Sequence, residues 1–143
     1  MIHVRLADEE ALPACFDIIR RAQAEATAWA APEYDTLDAF VASCDGEALM
    51  VATDHEPRTV GFASVWAADR FLHHLYVTPA AQGAGAGRAL VEAALAWFGP
   101  LKLKCLLSNN AARSFYKRLG WRERPAEEAD ADWVWMDSPD TET

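Results

Sequence analysis

Ile2, Val4 and Leu6 alternate with His3 and Arg5, the period-two pattern of a strand with one buried face. Asp8 then offers a helix cap, and Pro13 is tolerated near a helix start. Beyond it Cys15, Ile18, Ile19, Ala22 and Ala26 form an apolar stripe at helical spacing, which predicts a helix to about Ala28. Residues 29–34, with Pro32, read as a break. Residues 36–43 read as a short second helix with Leu37, Phe40 and Val41 inward, ended near Gly46. Two strands follow, Ala48–Thr53 and Thr59–Trp66, separated by the turn formers at 54–58. A further strand, Phe71–Val77, is closed by Pro79 and leads into a glycine-rich turn at 82–87. The next helix runs from about Arg88 to Phe98, with Leu90, Val91, Ala94, Leu95 and Phe98 on one side, and stops at Gly99-Pro100. Residues 101–107 predict a strand, 111–119 a helix ended by Gly120, and 133–136 a last strand, with 121–124 a weaker one.

This succession is an α/β (α+β) layer pattern with strands of mixed direction. A length of 143 residues, without internal repeat, low-complexity run or linker, predicts a single domain over 1–143. The 52% hydrophobic and 24% charged residues give the balance of a globular chain. Cys15, Cys44 and Cys105 are odd in number and lack C-x-x-C spacing, so neither a disulfide framework nor a metal site is expected; buried thiols in a reducing compartment are. The N-terminus reads as a strand rather than a leader, and no run reaches the ~20 apolar residues that span a bilayer, so a cytoplasmic protein without membrane contact is expected. A net charge of −9 argues against a nucleic-acid partner, because that binding works by neutralising phosphates. The acid gathers late, at Glu123, Glu127, Glu128, Asp130, Asp132 and Glu142. It is either a solvated tail or a field that favours cationic substrates such as amines.

The chemistry concentrates at residues 75–88, a strand, a tight glycine turn and a helix start. Backbone N–H groups at the positive end of a helix dipole, with no side chains in the way, suit a pyrophosphate. The dinucleotide pattern G-x-G-x-x-G fails, since counting from Gly83 and Gly85 puts Arg88 at the third glycine. The nucleotide-triphosphate loop fails because no lysine lies between Arg70 and Lys102. What fits is Gln/Arg-x-x-Gly-x-Gly/Ala, read as Gln82, Gly85 and Gly87, and it resembles the coenzyme A loop of the GNAT family of N-acetyltransferases. Asn109-Asn110-Ala111-Ala112-Arg113-Ser114-Phe115-Tyr116-Lys117-Arg118-Leu119-Gly120-Trp121 is similar to the family's second signature, N-x-x-A-x-x-F-Y-x-x-x-G-F, with Trp121 for the usual Phe. The resemblance covers nearly the whole chain and is weakest over residues 29–46.

That resemblance implies a mixed sheet of six to seven strands flanked by about four helices and splayed between the fourth and fifth strands. It implies an acyl transfer from acetyl-CoA to a primary amine, by direct attack in a ternary complex. The pantetheine arm would pair with main chain at Leu75, Tyr76 and Val77. The Val77 N–H would then polarise the thioester carbonyl. The phosphates would lie against Gln82, Gly83, Ala84, Gly85, Ala86, Gly87 and Arg88, and the second motif would contribute Asn109, Ala112 and Tyr116. Asn109 is also a good helix cap. Tyr116 matches the family position of the general acid; a phenol of pKa ~10 serves a thiolate of pKa ~8.5 through enforced proximity.

The base is open. A common family glutamate position is occupied here by Phe71; His73 shares its face by period-two counting, and His74 points the other way. Imidazole, with an ordinary pKa near 6.5, suits proton removal at neutral pH. His73, His74 or water remain candidates, and a bulge in the strand would overturn the count. Trp29, Tyr34 and Trp66 are either walls of the acceptor site or core residues. The acceptor class stays open among small amines, aminoglycosides, amino acids and protein N-termini, as does a monomer or a homodimer. A non-catalytic acetyl-CoA sensor or interaction module on the same fold is the alternative function. A nucleotide-binding regulatory domain is weakened by the glycine spacing.

Overall fold

A computed structural model describes residues 2–25, 34–56, 58–125 and 132–139. Its strands are β1 His3–Ala7, β2 Ala48–Thr53, β3 Thr59–Trp66, β4 Phe71–Val77, β5 Lys102–Leu106, β6 Arg122–Glu123 and β7 Trp133–Asp137. Its helices are α1 Leu12–Glu25, α2 Leu37–Ser43, α3 Ala86–Phe98 and α4 Asn110–Arg118. The strands form one mixed sheet in the order β1-β2-β3-β4-β5-β7-β6. β1 to β4 are an antiparallel meander, β4 and β5 run parallel, and β7 sits antiparallel between β5 and β6. The expected α/β architecture is therefore present, with seven strands and four helices among the described residues. The predicted helix residues 26–28, Trp29 and most of the late acidic run lie outside the described residues.

Local chemistry accounts for the element ends. The Asp8 carboxylate accepts from the Glu10 N–H at 3.1 Å and caps a short 3-10 turn that feeds α1. The Thr36 hydroxyl accepts from the Ala39 N–H at 3.1 Å and starts α2. α3 begins at Ala86, two residues before the position expected from the apolar stripe. Gly85 takes a left-handed conformation (φ 89°), which a residue without a Cβ adopts freely, so the chain turns into the helix at once.

Both faces of the central strands are covered, which explains their nearly continuous apolar sequence. On one face Met50, Ala63, Val65 and Leu72 pack with Leu90, Val91 and Ala94 of α3; Leu103, Cys105, Tyr116 and Met136 extend this layer. On the other face Leu49, Val51 and Phe62 meet Cys15, Ile18 and Ile19 of α1 and Phe40 of α2. Phe40 is fully buried and touches the rings of Phe16, Tyr34, Phe62 and His74 at centroid distances of 5.5 to 5.9 Å. It joins the helical layer to the side chains described below. Phe40→Ala is expected to lower unfolding free energy by about 3–5 kcal/mol in urea denaturation, the range for deleting a buried aromatic; a loss under 1 kcal/mol would show that this layer is not close-packed.

Candidate active site

β4 and β5 share one register pair, Phe71↔Lys102, among the described residues, anchored by the Lys102 N–H to the Arg70 carbonyl at 2.8 Å. Beyond it the strands diverge, which is the expected splay. On its other side β4 pairs with β3, and the Thr78 N–H reaches the Val60 carbonyl at 2.8 Å. Antiparallel pairs alternate between bonded and non-bonded positions, so main-chain groups of Thr78 and Tyr76 face β3 while those of Val77 face the opening. The Val77 carbonyl accepts from the Gln82 side-chain amide at 3.3 Å, consistent with that orientation.

The turn after β4 holds Gly83 and Gly85 at φ 88° and 89°. A Cβ on either would meet nothing within 4 Å, so the turn presents bare backbone to its surroundings. The first bond of the α3 ladder is the Ala89 N–H to the Gly85 carbonyl at 3.0 Å. The N–H groups of Gly85, Ala86, Gly87 and Arg88 thus lie ahead of the helix's own ladder. Gly87 serves another purpose: a Cβ there would lie 3.2 Å from Cζ of Phe115, so its lack of a side chain lets α3 and α4 approach. Arg88 pairs with Glu92 at 2.7 Å on the exposed side of α3. A groove of about 700 Å³ is lined by residues 78–81 and Ala84 together with Ile2, Arg21 and Arg58; neither His73 nor Tyr116 lines it.

Asn109 caps α4, its side-chain oxygen accepting from the Ala112 N–H at 3.1 Å. Ala112 and Phe115 pack against the α3-side core, and Tyr116 is part of it, 8% exposed, with Phe115 and Trp121 edge-on at 5.1 and 5.3 Å. Burial, reinforced by the Cys105 thiol on β5, holds the Tyr116 phenol well above its ordinary pKa and so fully protonated. Replacing the usual Phe by Trp121 has a consequence: its indole nitrogen is buried without a hydrogen-bond partner among the described residues.

The two histidines depart from the period-two count. Ser64 pairs with His74 but Val65 pairs with Leu72, so His73 is the extra residue of a bulge. Leu72 packs on the α3 side, whereas the His73 and His74 rings lie together at 3.9 Å on the opposite face. The expectation that His74 points away from His73 is thereby overturned. His74 is 1% exposed and sits between two hydroxyls, Ser64 Oγ at Nδ1 and Tyr34 at Nε2, each at 2.7 Å. Burial, then the neighbouring His73, pushes its pKa down to about 3.

His73 Nδ1 lies 2.6 Å from Glu47 Oε2, and its ring stacks on Phe71 at 5.5 Å. A cavity of about 260 Å³ opens beside this pair, lined by Ser43, Asp45, Glu47, Trp66, Phe71 and His73. Trp66 is 52% exposed and is a wall rather than core, while Tyr34 is drawn inward onto His74; Trp29 lies outside the described residues. Glu47 was not foreseen. It carries no motif and stands 26 residues from His73; only the pairing of β2 with β3 and of β3 with β4 unites them.

A family model of the acetyltransferase (GNAT) domain matches residues 18–137, and this chain belongs to that family. Its fold is similar to that of the ribosomal-protein-S18-alanine N-acetyltransferase of Escherichia coli, with a TM-score of 0.75 and 23% identity over 100% of this chain and 96% of that one. It is also similar to the PaiA N-acetyltransferase of Thermoplasma acidophilum, solved in complex with coenzyme A, with a TM-score of 0.78 and 15% identity over 98% and 99% of the two chains. YjaB of Escherichia coli, in its apo form, gives a TM-score of 0.72 and 25% identity over 96% and 95%. No curated protein matches the sequence significantly. No helix among the described residues is long and apolar enough to cross a membrane.

His74 has a consequence for stability. Between its unfolded pKa of 6.5 and its folded value of about 3, the unfolded chain binds a proton that the folded chain refuses. Its contribution is therefore complete above pH 6.5 and declines as pH falls towards 3. The change from pH 7 to pH 5 should cost wild type about 2 kcal/mol more than His74→Gln, at ~1.4 kcal/mol per pH unit below 6.5. Parallel stability profiles for the two proteins would show that His74 is not held neutral.

Proposed function

We propose that the chain transfers an acetyl group from acetyl-CoA to a primary amine by direct attack in a ternary complex. The supporting observation is the opening beyond Phe71↔Lys102, into which Val77 directs its main chain, with the N–H groups of residues 85–88 left ahead of the α3 ladder at the end of the turn that follows. Leu75 and Val77 would hold the pantetheine amides as an added strand, while Tyr76, whose main chain is turned to β3, keeps the strand in place. Residues 83–88 would hold the pyrophosphate, where bare glycine backbone and the α3 dipole suit a dianion. Acetyl-CoA supplies the acyl group as a thioester already activated for attack.

In this reading the chain's groups do four things. The Val77 N–H stabilises charge on the carbonyl oxygen. His73 takes a proton from the incoming ammonium, freeing its lone pair for attack on the carbonyl carbon. Tyr116 gives its proton to the departing sulfur as the C–S bond breaks. The nitrogen, now part of an amide, loses a second proton that restores Tyr116, so one proton per turnover passes through His73 to solvent. Asn109 and Ala112 contribute by setting the start of α4 and hence the placement of Tyr116.

Calorimetric titration with acetyl-CoA, followed by a free-thiol assay over an amine library, tests the reading. Binding with amine-dependent thiol release supports it; tight binding without release for any amine would instead favour the sensor. Gly85→Val should weaken coenzyme A binding ten-fold or more, because a β-branched residue strains the left-handed turn that aims the N–H groups. An unchanged affinity with intact circular dichroism would remove that turn from the site. Tyr116→Phe should keep acetyl-CoA affinity and lower turnover by roughly 10- to 1000-fold, the scale of lost acid catalysis. Wild-type turnover in that variant would take Tyr116 out of the reaction.

A further inference from the structure

Glu47 poses a problem that the proposed acetyl transfer does not by itself resolve. Its side chain is 5% exposed, and Oε1 has no hydrogen-bond partner among the described residues. A desolvated carboxylate costs stability unless it is fully paired, and single unsatisfied oxygens in native interiors call for a reason. Oε2 touches His73 Nδ1 at 2.6 Å, while Oε1 lies 3.9 Å from His74 Nδ1, which is already bonded to Ser64. The one strong contact of this carboxylate is thus to the imidazole that borders the 260 Å³ cavity.

A carboxylate only accepts, so at 2.6 Å Nδ1 of His73 carries the hydrogen and the lone pair is left on Nε2. Stacking on Phe71 and contact with the His74 ring fix the plane. Once Nε2 takes a proton, the imidazolium faces a carboxylate across that short contact, and an opposite charge at such range favours a charged ring. Among the described residues the other titratable groups around His73 give it no such partner. His74 is neutral, Asp45 lines the cavity, and Cys44 lies behind Glu47 with its sulfur within 4.8 Å of a Glu47 oxygen.

We propose that Glu47 is the positioning residue of His73, fixing its tautomer and stabilising its protonated form, and that the cavity beside the pair receives the acceptor amine. This rests on the acetyl-transfer reading. An amine arrives there as an ammonium, drawn by the exposed Asp45 and bordered by the aromatic rings of Trp66 and Phe71. Nε2 of His73 removes one proton, the N–H bond breaking as the Nε2–H bond forms, and Glu47 keeps its charge throughout.

The test joins nitrogen NMR of the histidine side chains with pH-dependent turnover under saturating acetyl-CoA, using an acceptor amine of low pKa. In wild type His73 is expected as the Nδ1–H tautomer at pH 8; the Nε2–H tautomer would overturn the proposal without any variant. Glu47→Gln retains shape and an accepting oxygen but loses the charge. It should lower turnover about 10- to 100-fold with less than a three-fold change in acceptor KM, and move the acid limb of the profile to lower pH. Glu47→Asp, which withdraws the carboxylate from Nδ1, should lower turnover yet keep part of that limb's position. A Glu47→Gln limb that overlays the wild type reduces Glu47 to a packing residue and overturns the proposal. His73→Ala with a wild-type profile would sink the base assignment of the previous section, whereas the NMR result judges the Glu47–His73 coupling independently of activity.

Discussion

Parallel pairing of β4 with β5 stops after Phe71↔Lys102, and the site exists because it stops there. Continued pairing would consume the outward main chain of Leu75 and Val77 in sheet hydrogen bonds. β5 can part from β4 without being lost because β7 holds its other edge through five register pairs, Lys102↔Asp137 to Leu106↔Trp133. The base of the divergence is closed by the Phe71–Trp135 contact at 6.0 Å, and α3 and α4 meet at Gly87 and Phe115. Backbone groups left open inside a fold must be satisfied by water or by a ligand. An extended, amide-bearing ligand meets that demand as another strand would.

The second determinant is the bulge at His73. One inserted residue brings two imidazoles to the same face and then divides their duties by environment. Burial, and after it the neighbouring His73, keeps His74 uncharged, so it braces the interior between two hydroxyls without titrating near neutrality. A charge on His73 is consequently not opposed by a second one 3.9 Å away. Neighbouring groups whose surroundings drive their protonation apart are a recurrent way of assigning separate tasks to chemically identical side chains.

The element order, the cap at Asp8, the turn at Gly83–Gly85 and the Asn109 cap were all legible in the chain, because each depends on residues a few positions apart. The side on which His74 projects was not. Period-two counting assumes one residue per register position, and the step from Ser64↔His74 to Val65↔Leu72 breaks that assumption through pairing with a distant strand. Glu47 was invisible for the same reason, since its meaning comes from a partner 26 residues away. Gly87 was legible as essential to its motif, yet what it makes room for is Phe115 rather than open approach. Trp121, an aromatic at an aromatic position, hid the polar atom that Phe lacks, a buried N–H without an acceptor among the described residues.

Glu47 directly precedes Ala48, whose partner across the hairpin is Val65, next to the bulge. A two-residue slip of β2 against β3 would carry Glu47 about 7 Å from His73 while keeping every side chain on its own face. Because these strands are apolar on both faces, such a misregistered sheet would still be well covered, and hydrophobic burial alone would penalise it weakly. On the proposed roles, proton transfer is then a proofreading signal for strand pairing. In a refolded preparation the recovered activity would count chains that found the correct register, whereas compactness and secondary-structure content would count everything that collapsed.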